Sequence, residues 1–508
     1  MQKNLYYSAC KRLVSLPSFG IFSLMILSVL MRLPTYWEPF ETDLSTYAVI
    51  SHELLYGRGL YSDLWDNKPP GIFIIYALAE MLVGYGYQQI FFLNVLACWI
   101  SLLGSYRAAT ALGHKQWIAL AAATFWTLFS INFDIQANQP NTEVFLNACL
   151  IWSFVFFIRA NSAQGKLAHY LAASVIFGIA SLLKQVIFIY VVAFATVQIC
   201  LDLYNGKSKI RLLLHNALLA SGIPIFWGCA FIYFWLSGKL NIFIQSSFVY
   251  PQYYAGDVLS NIRKGIEFNQ LFPSFFANFV FYFIASLSAI CIGLWYKNKH
   301  SFYLMAYLIA TPIAVALPGK FYPHYYQFWL PFLALSSAEL ISQVQSFLPS
   351  RFRWLIGTML TAFLLYFSIH PSLAWYQMSA DAISSRKYGD AYYHSRKLAL
   401  QIKKISSPHE RFYLWGIDPG LFFFSNRRPV AGVLWRDKIQ EGPLQEKLTA
   451  RTISQLENEK PSFVVVELDP FQSETSHAVT QWIRQHYEFR DPKFKQGPYA
   501  LFFRTKGH

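Results

Sequence analysis

The sequence contains few charged residues for its length. Asp, Glu, Lys and Arg make up 14% of the 508 residues, whereas hydrophobic residues make up 55%. Soluble domains carry roughly 25% charged residues, so one soluble domain of this length is excluded. A lipid bilayer around much of the surface accounts for the deficit most simply.

Cysteine is also scarce, and none follows Cys291. The six cysteines lie in the N-terminal segment or in apolar stretches, without the paired spacing of metal ligands. They are interpreted as small apolar packing residues. The sequence also lacks a P-loop, a dinucleotide-binding glycine pattern, a nucleophile elbow and a zinc-protease histidine pair.

The basic residues outnumber the acidic ones and give a net charge of +15. They do not form one run or one helix face, as they would in a nucleic-acid-binding protein. Many lie in short gaps between apolar segments, which is how orientation in a membrane is encoded. We therefore expect membrane lipids as surroundings and no nucleic-acid partner.

About eleven apolar segments have roughly the length needed to span a bilayer. The first runs from Pro17 to Pro34 and follows Lys3, Lys11 and Arg12, which predicts a cytoplasmic N-terminus. A secretory signal peptide is the alternative, but no small-residue cleavage site follows. The remaining segments run near 88–106, 116–132, 142–158, 168–183, 185–203, 213–236, 273–295, 301–317, 326–346 and 354–371.

Lys and Arg recur in every second gap between these segments and support this orientation. An odd number of spans places everything after residue 371 outside the cytoplasm. We therefore expect an integral protein of the plasma (inner) membrane. The gaps concerned contain Arg107 with Lys115, Arg159 with Lys166, Lys207 with Lys209 and Arg211, Lys297 with Lys299, and Arg351 with Arg353.

Two domains are predicted: a transmembrane domain over 1–371, with a long first outer loop at 35–87, and an extracytoplasmic domain over 372–508. In the second domain, apolar runs typical of buried strands alternate with helical patterns, which indicates a small α/β domain. The predicted strands are Arg411–Gly416, Ser462–Leu468 and a last one near Tyr499–Phe503.

The first outer loop is rich in acidic residues close to the membrane. Acidic groups at that depth are costly, so their clustering indicates a functional site; a solvated loop with ordinary charges is an equal alternative. The residues are Glu38, Glu41, Asp43, Glu53, Asp63 and Asp66.

The same loop resembles the first-loop signature of the protein O-mannosyltransferase superfamily, whose bacterial members include aminoarabinose transferases acting on lipid A. Later pieces add to the resemblance: Asn141-Thr142-Glu143, Lys184 in a tight outer turn, and the run from Pro318 to Tyr326. The signature run is Asp43…Tyr47…Gly57…Gly59…Tyr61…Asp63…Trp65-Asp66-Asn67-Lys68-Pro69-Pro70.

The resemblance implies the C-type glycosyltransferase fold, in which many helices carry an active site at their outer ends. Asp43 matches the catalytic acidic position, where it would act as a general base and deprotonate the acceptor hydroxyl for an inverting displacement at the sugar C1. Many members carry Glu where this chain has Leu44, and some carry Glu where it has Asn67. Asp43 could therefore act alone, or with Asp66 or Glu41.

No cofactor is expected from this pattern. A divalent metal between two such carboxylates is possible, but carboxylates without histidine at ligand spacing are a weak metal signal. The site is therefore predicted without a metal.

The expected donor is a sugar on polyprenyl phosphate, since little nucleotide sugar exists outside the cytoplasm. Its phosphate needs cations near the membrane surface. Lys68 matches the superfamily's phosphate-binding lysine, and Lys184 and Lys320 are further candidates. An interfacial lysine that extends its amine to water is the alternative for Lys184.

Other candidate ligand-binding residues have plainer alternatives. Tyr47 and Tyr325, with Tyr326, could bind phosphate or stack on sugar, or be ordinary interface aromatics. His324 could act as a ligand or donate a proton, or be structural. Glu143 could line the cavity, or cap its helix at the positively polarised N-terminus.

We therefore expect an inverting transferase that moves a hexosyl or pentosyl unit to an extracytoplasmic acceptor: lipid A, a polysaccharide, a glycolipid or a protein. A polytopic transporter is one alternative, although repeated halves and midplane charges are not evident. A non-catalytic relative that binds a lipid-linked sugar is the other.

Overall fold

The computed structural model describes residues 16–266 and 273–505. They form two compact units, each assembled from separate stretches of chain. Lys3, Cys10, Lys11 and Arg12 lie outside the described residues, and the other five cysteines are free thiols. Within the described residues, the first unit comprises 16–33, 94–229, 257–266 and 273–377, and the second comprises 34–93, 230–256 and 378–505.

The first unit is helical throughout its described part. Helices Tyr87–Ala111 and Gly222–Leu236 have residues in both units. The helices of the first unit itself are Leu16–Arg32, Gln116–Phe129, Thr142–Ala160, Leu167–Ser181, Ile187–Tyr204, Lys209–Ala220, Val258–Ile266, Pro273–Trp295, Lys299–Ala316, Leu330–Phe347 and Ser350–Leu373, with 3-10 turns at Pro323–Trp329 and Trp375–Gln377.

Six helices in the described part are long and apolar enough to cross a membrane. The bent pair Lys209–Ala220 and Gly222–Leu236 would raise this number to seven. Gln116–Phe129 and Leu167–Ser181 are apolar but shorter. The apolar helices bear out a polytopic helical membrane protein, while the count of eleven spans remains a prediction. The six are Pro17–Thr35, Tyr87–Ala111, Thr142–Ala160, Ile187–Tyr204, Phe275–Trp295 and Arg351–Gln377.

The second unit combines helices with one sheet. Helices Thr42–Leu55 and Gly71–Val83 lie within the segment predicted as the first outer loop. The other helices are Leu240–Ile244, the π-helical Gln245–Val249, Tyr250–Ala255, Ala380–Tyr388, Ala391–Ile405, Gly420–Ser425, Asp437–Gln440, Gln445–Glu459, Leu468–Ser473 and Ala478–His486, with 3-10 turns at Leu33–Thr35 and Pro492–Phe494.

The sheet lies wholly in the last part of the chain. The strands are β1 (Arg411–Trp415), β2 (Arg428–Pro429), β3 (Phe463–Glu467), β4 (Tyr487–Glu488), β5 (Lys495–Gln496) and β6 (Tyr499–Arg504). Their order in the sheet is β2-β1-β3-β6-β4, with β5 paired to β6. β1 is parallel to β2 and β3, whereas β6 is antiparallel to β3 and to β4.

The first loop packs on this sheet region within the second unit. The Trp65 N–H donates to the Gly432 carbonyl at 2.9 Å. A Cβ at position 432 would lie 1.5 Å from the Asp63 carbonyl oxygen, so only glycine permits this approach. Helix Thr42–Leu55 packs on helix Gly71–Val83, and Ser51 Oγ donates to the Phe73 carbonyl at 2.8 Å. The loop is thereby fixed at both ends.

Asp418, which follows β1, should make stability depend on pH. Burial raises the pKa of this carboxyl to about 7, while the hydrogen bond that the Gly420 N–H donates to its Oδ1 opposes the rise. An unfolded Asp ionises near pH 4, so the folded state holds the extra proton between about pH 4 and 7. Asp418 should therefore lower the free energy of unfolding by roughly 2–4 kcal/mol as the pH rises from about 4 to about 7. Denaturant unfolding at several pH values measures this.

Asp418→Asn should remove this fall in stability between pH 4 and 7. Asp469→Asn, at an exposed position of the same unit, should keep the wild-type slope. An unchanged slope in Asp418→Asn would show that the carboxyl ionises normally in the folded protein.

Candidate functional site

Asp43 and Lys68, which the sequence predicts as base and phosphate-binding residue, form an ion pair. Lys68 Nζ lies 2.9 Å from Asp43 Oδ1. Asp43 is in the first turn of helix Thr42–Leu55, where the helix dipole favours a carboxylate. Lys68 comes just before helix Gly71–Val83. Their side chains are 18% and 21% exposed, so a ligand could reach both groups.

The loop holds Lys68 through its backbone as well as its amine. The buried carboxylate of Asp66 accepts the Lys68 N–H at 2.9 Å. Tyr61 Oη donates to the Lys68 carbonyl at 2.7 Å. Tyr61 has φ of 65°, a left-handed conformation that is rare for an aromatic residue. Such strained backbone is found where a functional loop must keep one conformation.

Tyr47 contacts both members of the ion pair. Its hydroxyl donates to Asp43 Oδ2 at 3.2 Å, and its ring centroid lies 4.9 Å from Lys68 Nζ. The ring is fully buried. Tyr47 therefore orients the Asp43 carboxylate through its hydroxyl and contacts the Lys68 amine with its ring face.

Trp435 and Lys438 are site residues that the sequence did not indicate. Lys68 Nζ lies 5.8 Å from the Trp435 ring, and Trp435 Nε1 donates to Thr46 Oγ1 at 2.6 Å. Lys438 Nζ lies 4.9 Å from the same tryptophan ring, and it is further surrounded by Tyr250 and Tyr254 at 5.2 and 5.0 Å. No local motif around these residues signals a site.

Lys438 is buried, and the charged groups of this site act on the pKa of its amine. Burial lowers the pKa of its ammonium to about 8, against the attraction of Asp66 and Asp43. Lys68 lowers the pKa of Lys438 further by charge repulsion. Two amines and two carboxylates of the second unit therefore act on one another electrostatically.

The first unit contains a second group of the predicted residues. Lys184 Nζ donates to Glu143 Oε1 at 2.5 Å and lies 3.7 Å from the Tyr325 ring centroid. Glu143 is buried, and its other oxygen accepts Thr142 Oγ1 at 2.9 Å. Lys184 therefore pairs with a buried carboxylate, which disfavours the alternative of a lysine that extends to water.

The remaining predicted residues, His324 and Lys320, also lie in the first unit. His324 is buried, with Nδ1 3.1 Å from Gln136 Oε1, in the 3-10 turn Pro323–Trp329 that also contains Tyr325. Lys320 is exposed in the segment just before that turn. The structure thus brings Glu143 and Lys184 together with Tyr325, as it brings Asp43 and Lys68 together with Tyr47.

Residues 67–227, which include Lys68, Glu143 and Lys184, match the family model described as dolichyl-phosphate-mannose-protein mannosyltransferase. A comparison with curated protein sequences found no match.

Solved structures with this fold include ArnT from Cupriavidus metallidurans bound to undecaprenyl phosphate. The TM-score is 0.61 at 14% identity, over 96% of this chain and 98% of that one. The oligosaccharyltransferase of Archaeoglobus fulgidus, in complex with Zn and sulfate, gives a TM-score of 0.53 at 14% identity, over 95% of this chain and 73% of that one.

The archaeal oligosaccharyltransferase AglB from Archaeoglobus fulgidus, in complex with an inhibitory peptide and a dolichol-phosphate, gives a TM-score of 0.52 at 11% identity, over 96% of this chain and 74% of that one. These likenesses show that the chain has the fold of these proteins. They confirm the fold that the resemblance implies, and the family-model match over residues 67–227 supports the resemblance itself.

Proposed function

We propose that this protein transfers one sugar from a polyprenyl-phosphate donor to a hydroxyl on an extracytoplasmic acceptor. The observation that carries the proposal is the pair of Asp43 and Lys68, with 2.9 Å between amine and carboxylate in a partly exposed site. A base for a hydroxyl and a cation for a phosphate are the two groups that such a reaction needs. The fold shared with ArnT bound to undecaprenyl phosphate supports it.

In the proposed step, Asp43 accepts the proton of the acceptor hydroxyl as its oxygen attacks the sugar C1 from the face opposite the phosphate. The bond between C1 and the phosphate oxygen breaks, and the configuration at C1 inverts. The electron pair leaves with polyprenyl phosphate, and Lys68 stabilises the charge that develops on it. The products are the glycosylated acceptor and polyprenyl phosphate.

Asp66 is proposed to act through Lys68 rather than on the substrate. Its carboxylate is 2% exposed and already accepts the Lys68 N–H. Tyr47 would orient Asp43, and Lys438 with Trp435 would add charge and a ring face on the same side. Aromatic faces and buried cations suit a sugar phosphate.

Lys184, Lys320, His324 and Tyr325 are proposed as further donor-binding residues. Glu143 would hold Lys184 in place through the 2.5 Å contact. A buried carboxylate fixes the amine more firmly than solvent would. The division into a transmembrane domain over 1–371 and an extracytoplasmic domain over 372–508 belongs to the same proposal, as does a cytoplasmic N-terminus in the inner membrane.

The test is a transfer assay with the purified full chain in proteoliposomes. Radiolabelled polyprenyl-phosphate hexoses and pentoses are offered with lipid A, polysaccharide, glycolipid and peptide acceptors. We expect label in one acceptor and an equal amount of released polyprenyl phosphate. Movement of intact lipid-linked sugar between leaflets, without transfer, would establish a transporter instead. Saturable donor binding with neither activity would establish a non-catalytic relative.

Lys68→Met should weaken the use of donor far more than the use of acceptor. A hydrogen bond to a charged group contributes about 1.5–3 kcal/mol, so kcat/KM for the donor should fall roughly 10- to 100-fold. Initial rates at varied donor concentration measure this. Lys404→Met, at an exposed lysine of the second unit, is the matched control. Equal donor kinetics in both variants would remove Lys68 from phosphate binding.

A further inference from the structure

A second cluster of ionisable side chains lies in the first unit, and none of its members belongs to the candidate site described above. His114 is in the turn between helices Tyr87–Ala111 and Gln116–Phe129, and His300 is in the first turn of Lys299–Ala316. Glu339 lies within helix Leu330–Phe347. One nitrogen of each histidine and one carboxylate oxygen all lie within 4.8 Å of one another. Two imidazoles and a carboxylate are a common zinc ligand set.

The distances suit one small ion. Glu339 Oε2 lies 2.9 Å from His114 Nε2 and 3.2 Å from His300 Nδ1. Zinc holds such atoms at about 2.0–2.2 Å, so ligand atoms at tetrahedral angles lie about 3.3–3.5 Å apart. Small shifts of the side chains would therefore complete the coordination.

His114 Nε2 is buried beside the Glu339 carboxylate. It pairs with Glu339 Oε2 at 2.9 Å, but no well-aligned hydrogen bond to it is present within residues 16–266 and 273–505. Buried nitrogens without hydrogen bonds are uncommon in native proteins, and a bound ion is one way in which such an atom is satisfied. The side chain of His114 is only 5% exposed, so bulk water has little access to this nitrogen.

The other atoms of the cluster are held as in a metal site. His114 Nδ1 lies 3.1 Å from Ser342 Oγ. Glu339 Oε1 accepts Asn298 Nδ2 at 3.1 Å and Gln343 Nε2 at 2.9 Å. These contacts fix the imidazole and turn the second carboxylate oxygen towards the histidines. Ligands of bound metals are usually oriented by such outer hydrogen bonds.

We propose that His114, His300 and Glu339 bind one divalent transition-metal ion of the zinc class, with water as fourth ligand. The ion would tie the turn at 112–115 to two helices that are distant in sequence. The turn contains Lys115, and the segment before His300 contains Lys297 and Lys299, which the sequence assigns to the cytoplasmic side. The site is therefore structural and independent of the proposed sugar transfer.

The direct test is metal binding by the purified full chain. After treatment with a chelator, the protein is dialysed against Zn²⁺ and its metal content is measured by mass spectrometry. We expect about one zinc per wild-type chain, and none at this site in His114→Ala or Glu339→Gln. His169→Ala, a histidine at the start of helix Leu167–Ser181, is the matched control and should keep the zinc.

A second measurement uses only the wild-type chain, so it does not depend on the folding of variants. Titration with Co²⁺ should produce the intense visible bands of tetrahedral coordination and saturate at about one equivalent. Wild-type protein that binds neither ion, or equal binding by wild type and both variants, would overturn the proposal. The cluster would then be a hydrogen-bonded network held by a proton.

Discussion

Asp43→Asn should lower kcat by about 10²- to 10⁴-fold, because a positioned general base contributes that much to a transfer reaction. Asparagine keeps the shape of the side chain but cannot accept the acceptor proton. Lys68 would lose its anionic partner at 2.9 Å and become available to the donor phosphate. Donor KM should therefore stay level or fall, and the loss should be found in kcat, measured from initial rates at saturating donor and acceptor.

The matched control for this prediction is Asp390→Asn. Asp390 belongs to the same unit and is exposed, and its side chain does not cap the helix that follows. We expect wild-type kcat from this control. If Asp43→Asn turned over as fast as Asp390→Asn, proton abstraction by Asp43 would be refuted.

Glu53→Gln should destabilise the second unit by about 3–5 kcal/mol, as expected when one partner of a buried ion pair is removed. The Glu53 carboxylate is fully buried in helix Thr42–Leu55. It accepts two bonds from Arg428, at 2.6 and 3.0 Å, and one from Arg58 at 3.0 Å. An amide would leave two partly buried guanidinium groups, of Arg58 and Arg428, without the charge of their buried anion.

This loss can be measured by denaturant unfolding monitored through tryptophan fluorescence, since Trp415 is buried in the same unit. The matched control is Glu459→Gln, which breaks the more exposed pair with Arg411. Exposed pairs contribute about 0–1 kcal/mol, so the control should unfold almost as wild type does. Equal costs for the two changes would show that the Glu53 network is not a stabilising feature.

The core of the candidate site could be predicted because its residues share one segment. Asp43 and Lys68 both belong to the first-loop signature, and one helix and one turn suffice to bring them together. Trp435 and Lys438 are more than 360 positions further along the chain. Their approach depends on tertiary packing, which leaves no periodic or local pattern in the sequence.

Three strands in the last part of the chain were predicted close to the positions where the structure has them: β1, β3 and β6. Apolar runs rich in valine and aromatic residues mark β1 and β3, because buried strands read as continuous apolar segments. The pattern of Leu448 and Leu456 marks helix Gln445–Glu459. Strand order is decided by contacts across many residues, so it could not be predicted in the same way.

The first loop and the span count were harder to predict. Helices Thr42–Leu55 and Gly71–Val83 have 14 and 13 residues, below the roughly 20 that mark a span, and a search for spans passes over them. In the opposite direction, helix Leu330–Phe347 matches the predicted segment 326–346 but contains Glu339 and Gln343, which lower its hydropathy. Polar residues buried inside a helical bundle therefore make the number of spans hard to count from hydropathy.

The affinity of polyprenyl phosphate for three forms of the protein decides whether the pair of Asp43 and Lys68 serves a lipid-phosphate donor. Equilibrium binding of labelled lipid would be measured for wild type, Asp43→Asn and Lys68→Met in the same detergent. We predict binding at least as tight as wild type in Asp43→Asn, and binding weakened about tenfold or more in Lys68→Met. Equal affinity in all three forms would contradict the assignment of Lys68 to the phosphate.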